Sequence, residues 1–312
     1  MKKQYNGIVL ILLLLVIVTG SDLYGQQNSQ YTQYMYNTQS INPAYAGSRE
    51  VLSFNGIYRS QWIGLDGAPK TFDFSLNTPL GYSKLGLGLS FNNDEIGPTV
   101  SNNFTADLSY TIDLSRYTKL AFGLKAGFNM FDFDPDKLNY ENENDPNLVP
   151  INEIDPVIGA GAYLYGYNWY VGLSAPNLLE TKHYNDSESG SQISIASERM
   201  HFYAIGGYIF DLSYDWQFKP TVLVKAVSGA PLSVDLSANF QYDQKLTLGL
   251  GYRLDASVSA LAGFQVNDQI MVGYAYDYDT TPLGNYNSGS HEIFLRFELF
   301  TRVRRVVNPR FF

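Results

Sequence analysis

The sequence predicts an all-β fold: a transmembrane, antiparallel, up-and-down β-barrel of about 14 strands, with an N-terminal segment that plugs or braces the lumen. Three observations lead there. Apolar residues recur with a period of two along most of the chain. The alternating segments are even in number and close to the length that crosses a bilayer. The links between them are short on one rim and mostly long on the other.

The chain begins with a secretory pattern. Lys2 and Lys3 precede the apolar run Ile8–Val18, and small and polar residues follow to "LYGQQ". The run is shorter than the roughly 20 residues of a membrane helix, so residues 1–25 read as a signal peptide cut after Gly25. With 0 Cys, neither a lipid anchor on cysteine nor a disulfide framework is available. The formal net charge of −9 argues against a nucleic-acid partner. The 25 Tyr suit interfacial aromatic girdles.

Residues 26–50 precede the first strand and form the N-terminal periplasmic or lumen segment. A barrel of about 14 strands is too wide for its own side chains to fill. Tyr31, Tyr34, Tyr36 and Tyr45 combine apolar rings with polar tips, and Gln30, Gln33, Asn37, Gln39 and Asn42 can pair with a polar wall. Asn42 and Pro43 favour a turn, Ala44, Tyr45 and Ala46 follow, and Gly47 permits a positive-φ exit into the first strand.

Residues 51–301 then alternate. Strands are expected near 51–59, 70–78, 84–92, 100–112, 118–130, 156–166, 168–175, 200–211, 214–226, 231–242, 245–254, 257–266, 269–279 and 291–301. In "SVDLSANFQYD", Val234, Leu236, Ala238, Phe240 and Tyr242 share one face, and Ser233, Asp235, Ser237, Asn239, Gln241 and Asp243 the other. Lys125, Lys219, Lys225 and Arg253 lie on polar alternates. On the lipid face near mid-membrane each would cost about 2–4 kcal/mol, so they should face the lumen. Links after even-numbered strands are short, and links at 60–69, 131–155, 176–199 and 280–290 are long. Short turns are periplasmic in outer-membrane barrels, which places both mature termini in the periplasm.

The chemistry-bearing candidates are few. His183, His201 and His291 are the three histidines, and none sits in a recognisable Ser–His–acid set, so an enzyme is not expected and no cofactor is called for. No Cys/His spacing suggests zinc. Asp132, Asp134, Asp136 and Glu143 have the spacing of a calcium loop, but Lys137 stands where such a loop needs glycine, so they form only a weak calcium candidate. Residues 302–312 are a basic periplasmic tail. Arg302, Arg304, Arg305 and Arg310 carry its charge, Asn308 precedes Pro309, which breaks any ladder, and the segment reads equally as a frayed strand end or as a handle for a partner with Phe311 and Phe312 as its apolar tip.

"SQYTQYMYNTQSINPAYAGS", then "YRSQWIGLDGAPKTFDFSLNTPL", "LGLGLSF", "LAFGLKAGF" and the terminal "NPRFF" resemble the PorP/SprF family over the whole mature chain. The specific motifs are Asn42–Gly47 and a first outer loop holding Gln61, Trp62, Gly67, Ala68 and Pro69. The resemblance implies a non-enzymatic outer-membrane subunit of the type IX secretion system of Bacteroidota. Some members serve secretion generally; others serve one large surface adhesin in gliding motility. The implied partners are outer-membrane lipid, the C-terminal domain of a secreted adhesin or other cargo, and periplasmic secretion components. The alternative is an outer-membrane channel or transporter for small solutes or hydrophobic compounds.

Overall fold

The computed structural model describes residues 30–81, 83–138, 149–186, 192–228 and 230–300. The leader, Glu143 and the basic tail 302–312 lie outside the described residues.

The alternating segments form the wall. In chain order the strands are β1 (Leu52–Ser60), β2 (Lys70–Pro79), β3 (Leu85–Ile96), β4 (Thr99–Asp113), β5 (Lys119–Phe133), β6 (Ile151–Tyr165), β7 (Trp169–Ala175), β8 (Thr181–Asp186), β9 (Gln192–Glu198), β10 (His201–Tyr208), β11 (Phe210–Asp211), β12 (Trp216–Val227), β13 (Ser233–Tyr242), β14 (Leu246–Arg253), β15 (Ser257–Gln265), β16 (Ile270–Asp279) and β17 (Ser290–Leu299). Apart from β8 and β9, each pairs antiparallel with its neighbours in sequence, and β1 closes on β17 from Leu52↔Leu299 to Ser60↔His291. β10 and β11 are one wall strand in unbroken register on β12: Gly207 faces Thr221 and Phe210 faces Phe218. The pairing on β12 lapses at Tyr208 and Ile209, which face Pro220 and Lys219, and Pro220 has no N–H to give the ladder. Counted so, the closed wall has 14 strands.

The faces are those of a protein in lipid. Ser53, Asn55, Arg59, Asp73, Ser75, Asn77, Asp107, Asn129, Lys219 and Glu292 are buried inside, whereas Leu124, Leu173, Leu248, Leu250 and Ile293 are exposed outside. Outward rings form ladders across strands, as in Phe91–Phe104 at 4.7 Å and Phe218–Phe240 at 4.7 Å. Tyr117, Tyr167, Tyr208, Trp216 and Tyr242 gather at the short-turn rim, the level where amphipathic rings favour the interface.

Links at one rim are uniformly short, such as 166–168 and 243–245. The other rim carries 61–69, 134–150, 176–200 and 280–289 as well as the two-residue turn at Gly97–Pro98. Two of the expected long links contain structure. β5 continues to Phe133 and β6 begins at Ile151, with Phe131, Phe133 and Ile151 clustered inside the extension. The acidic "NEIDP" reads as loop, but Pro156 is accepted because it pairs with Phe128 of β5 at a level where β7, paired with β6 only from Ala160 to Tyr165, has already ended. Within 176–199, β8 and β9 form a separate two-stranded sheet.

Candidate functional site: the filled lumen

Residues 30–49 run lengthwise through the barrel. Thr38–Ile41 form one helical turn, α1, and Pro43–Tyr45 a 3-10 turn. Asn42 sits between them: its Oδ1 accepts from the Ala44 N–H at 3.0 Å, and Pro43 needs no partner at the first position. Its Nδ2 donates to the Ala162 carbonyl at 3.1 Å. Gly47 turns the chain out at φ 74°, and β1 follows.

The segment meets two unlike walls. The first is built of glycine, on β3 to β7. A Cβ on Gly123 would lie 2.2 Å from the Ala44 backbone nitrogen, one on Gly86 would lie 2.2 Å from the Ala46 carbonyl oxygen, and one on Gly161 would lie 2.2 Å from Asn42 Oδ1. No side chain fits between this wall and the "NPAYA" turn. Hydroxyls at its margins satisfy the backbone: Ser109 Oγ donates to the Ala46 carbonyl at 2.6 Å and Ser174 Oγ to the Ile41 carbonyl at 2.7 Å. Gln39 Nε2 reaches the Leu76 carbonyl at 3.2 Å and Asp107 at 3.2 Å.

The second wall is charged, on β16, β17, β1 and β2. Glu292 accepts the Thr32 N–H at 2.9 Å and the Gln33 N–H at 2.8 Å. Arg59 Nη1 lies 2.7 Å from Asp277 and 3.2 Å from Glu292, and Thr32 Oγ1 donates to Asp277 at 2.6 Å. Asp73 accepts from Asn37 Nδ2 at 2.6 Å, and Asn92 Nδ2 donates to Tyr31 OH at 2.6 Å. Nearer the short-turn rim Arg49 pairs with Glu298. Between the walls, Lys219 is fully buried with its ammonium 5.7 Å from the ring centres of both Tyr36 and Tyr170, a cation–π arrangement, and Tyr36 stacks on Phe294 at 5.2 Å.

The inward cations expected from alternation, Lys125, Lys219, Lys225 and Arg253, all face the lumen; Lys125 and Arg253 pair with Asp107 at 3.3 Å and Asp235 at 2.6 Å. Arg59, Asp73, Asp277 and Glu292 face inward by the same alternation, which "YRS", "TFDFS", "YAYDYD" and "HEIFLRFEL" carry without singling these residues out. The glycines looked generic to barrels; their fit to Asn42–Ala46 is visible only once the strands are in register.

The loop 61–69, between β1 and β2, is braced on both sides. Ile63 N–H donates to the Gly289 carbonyl at 2.9 Å, Ser288 N–H to the Ile63 carbonyl at 2.8 Å, and Gly97 N–H to the Gly67 carbonyl at 2.9 Å. Gln61 N–H donates to the Pro69 carbonyl at 2.9 Å, Trp62 N–H donates to Ser290 Oγ at 3.2 Å, and Ala68 N–H closes on the Leu65 carbonyl. Gly67 has φ 71°, and a Cβ there would come 3.2 Å from Gly97 Cα, which accounts for glycine in this motif.

Three of the four weak calcium candidates, Asp132, Asp134 and Asp136, lie among the described residues. Asp134 Oδ1 caps the 3-10 turn Pro135–Lys137 by accepting the Asp136 N–H at 3.1 Å, Asp132 and Asp136 are exposed, and Glu143 lies outside the described residues. Among the described residues no group of three or more His, Cys, Asp or Glu could hold a metal ion. His201 Nδ1 lies 2.7 Å from the Arg199 carbonyl and His291 Nδ1 2.5 Å from Tyr274 OH.

The sequence expectation puts both mature termini at the short-turn rim; the termini themselves lie outside the described residues. The described chain leaves that rim with Leu299, but its first residue is at the far end of the lumen: Gln30 Nε2 donates to Asp235 and lies 3.4 Å from Ser233, the first residue of β13 after the outer link. The segment is threaded lengthwise rather than folded back.

The fold and its contents define a membrane β-barrel whose lumen is occupied by its own N-terminal segment. Residues 23–297 match the family described as type IX secretion system membrane protein PorP/SprF. The chain belongs to that family and is an outer-membrane barrel of the type IX secretion class. Among solved structures it is similar to the outer membrane protein Omp33 of Acinetobacter baumannii, at 8% identity over 80% of this chain and 99% of that one, with a TM-score of 0.48. It is also similar to the CymD monoaromatic hydrocarbon channel, at 11% identity over 90% and 96% with a TM-score of 0.48, and to the toluene transporter TodX of P. putida, at 9% identity over 85% and 94% with a TM-score of 0.45. At these identities and scores the likenesses carry no functional argument. No curated protein matches the chain.

Proposed function

We propose that this barrel is a non-enzymatic subunit of type IX secretion that holds or passes on a secreted partner at its outer rim and does not conduct solutes. The observation that carries this reading is the lumen segment. Tyr31 to Ala46 are buried, with the exception of the half-buried Ser40, and they are bonded to both walls, which supports a lumen obstructed against the open water path a porin needs. Family membership supplies the secretion context. The long-loop rim, with the braced loop 61–69, the raised β5–β6 hairpin and the β8–β9 hairpin, is the face for a large cargo such as an adhesin C-terminal domain. The short-turn rim and the basic residues Arg302 to Phe312 face periplasmic secretion components.

Affinity purification from detergent-solubilised outer membranes, with mass spectrometry of the co-purifying chains, tests this directly. A large surface protein or secretion components are expected. In a strain lacking the gene, a specific surface protein should vanish from the cell exterior; an unchanged surface proteome would defeat the proposal. The alternative, a channel for small or hydrophobic solutes, requires the lumen segment to yield.

A further inference from the structure

We infer that the amino terminus of the mature chain emerges on the cell surface, at the long-loop mouth of the barrel, while the carboxyl end lies on the opposite side. The inference rests on the orientation in the proposed reading, with long loops outside.

The threading fixes the direction. At the short-turn rim, Ser109 holds the Ala46 carbonyl, Lys119 pairs with Glu50 at 2.6 Å and Arg49 pairs with Glu298. At the other end Thr32 is held by Asp277 and Glu292, each two residues inside its strand's outer end, and Gln30 meets Ser233 and Asp235 at the outer start of β13. With the leader cut after Gly25, only Gln26 to Ser29 precede Gln30. Four residues reach at most about 14 Å. β13 runs 10 residues from Ser233 to Tyr242, so the short-turn rim is about 30 Å of strand away. The return path is also filled by Tyr34, Tyr36, Lys219 and Tyr170, all buried. The mouth beside Ser233 is within reach, and "QQNS" has the polarity of a segment in water. The leader must therefore be removed before the barrel closes, since its apolar run could not follow through an occupied lumen.

The absence of cysteine from the chain makes a clean test possible. Single substitutions Asn28→Cys, Asp66→Cys in the first outer loop and Ser115→Cys in a short turn are exposed, in intact cells and after outer-membrane permeabilisation, to a maleimide on a polymer too large for porins. A companion variant of the full chain carries a six-residue Gly/Ser insert with one Cys after Gln27, so that a cysteine held just inside the mouth is not mistaken for a buried terminus. Edman sequencing gives the mature end. The expected result is labelling of Asp66→Cys and the insert variant to the same extent in intact cells, with Ser115→Cys labelled only after permeabilisation. If the insert labels only after permeabilisation while Asp66→Cys labels in intact cells, the inference is overturned and the orientation stands. If Ser115→Cys labels in intact cells and Asp66→Cys does not, the orientation itself is wrong, and the inference falls with it.

Discussion

The two walls of the lumen hold one segment by opposite means. Around the turn, the β3–β7 side removes side chains at Gly86, Gly123 and Gly161 so that the segment packs on bare backbone, and its specificity there is steric. The β16–β17–β1–β2 side projects charged groups that accept or donate hydrogen bonds, and its specificity is electrostatic. The steric wall grips the turn Asn42–Ala46; the charged wall grips the extended piece around Thr32. A plug held only by charge would have to keep every ion dehydrated and paired, which is costly when any partner is lost. A plug held only by shape would have little to fix its direction along the barrel.

The largest effect should come from the charged wall. Glu292→Ala removes the acceptor of two backbone N–H groups and one of Arg59's two carboxylate partners, and should cost about 3–5 kcal/mol. It would appear as a lower unfolding midpoint in detergent and protease cleavage within residues 30–49. Glu292→Gln keeps one acceptor oxygen and the volume and should cost clearly less.

The glycine wall should answer to size rather than charge. Gly123→Leu drives atoms into the Ala44 backbone and should cost about 1–3 kcal/mol or more, independent of salt. Gly56→Ala, on the lipid side with nothing within 4 Å of the added Cβ, is the control and should melt as the parent does. Equal effects at Gly56 and Gly123 would show that the close approach is not what glycine serves here.

Asn42→Ala tests the turn alone. It loses a cap and the bond to Ala162 and should cost about 1–2 kcal/mol, with the barrel intact by circular dichroism. At the bottom of the scale, Lys245→Ala breaks an exposed pair with Asp243 in the β13–β14 turn and should leave the melting curve unchanged.

How far the sequence reaches follows from the same contrast. Alternation located all 14 strands of the wall, because a strand between lipid and a polar lumen must change character at every residue. It placed Lys125 and Lys219 inside for the same reason. It could not say that Gly86, Gly123 and Gly161 face one turn, since that depends on register across β3 to β7 and on a segment far away in sequence. It ended β5 early and began β6 late, because Asp and Glu on a hairpin raised above the membrane look the same as loop. The direction of the lumen segment was also out of reach: Tyr, Gln and Asn show that a segment can line a polar cavity, but only its partners show which end is up.

The central claim is that residues 30–49 close the barrel. Planar-bilayer conductance of the purified protein tests it most directly, comparing the intact chain with one lacking residues 26–47. The account predicts no steady open channel for the intact protein and a stable one for the shortened barrel. A large, steady conductance through the intact protein would contradict it, as would a folded, shortened barrel that stays closed.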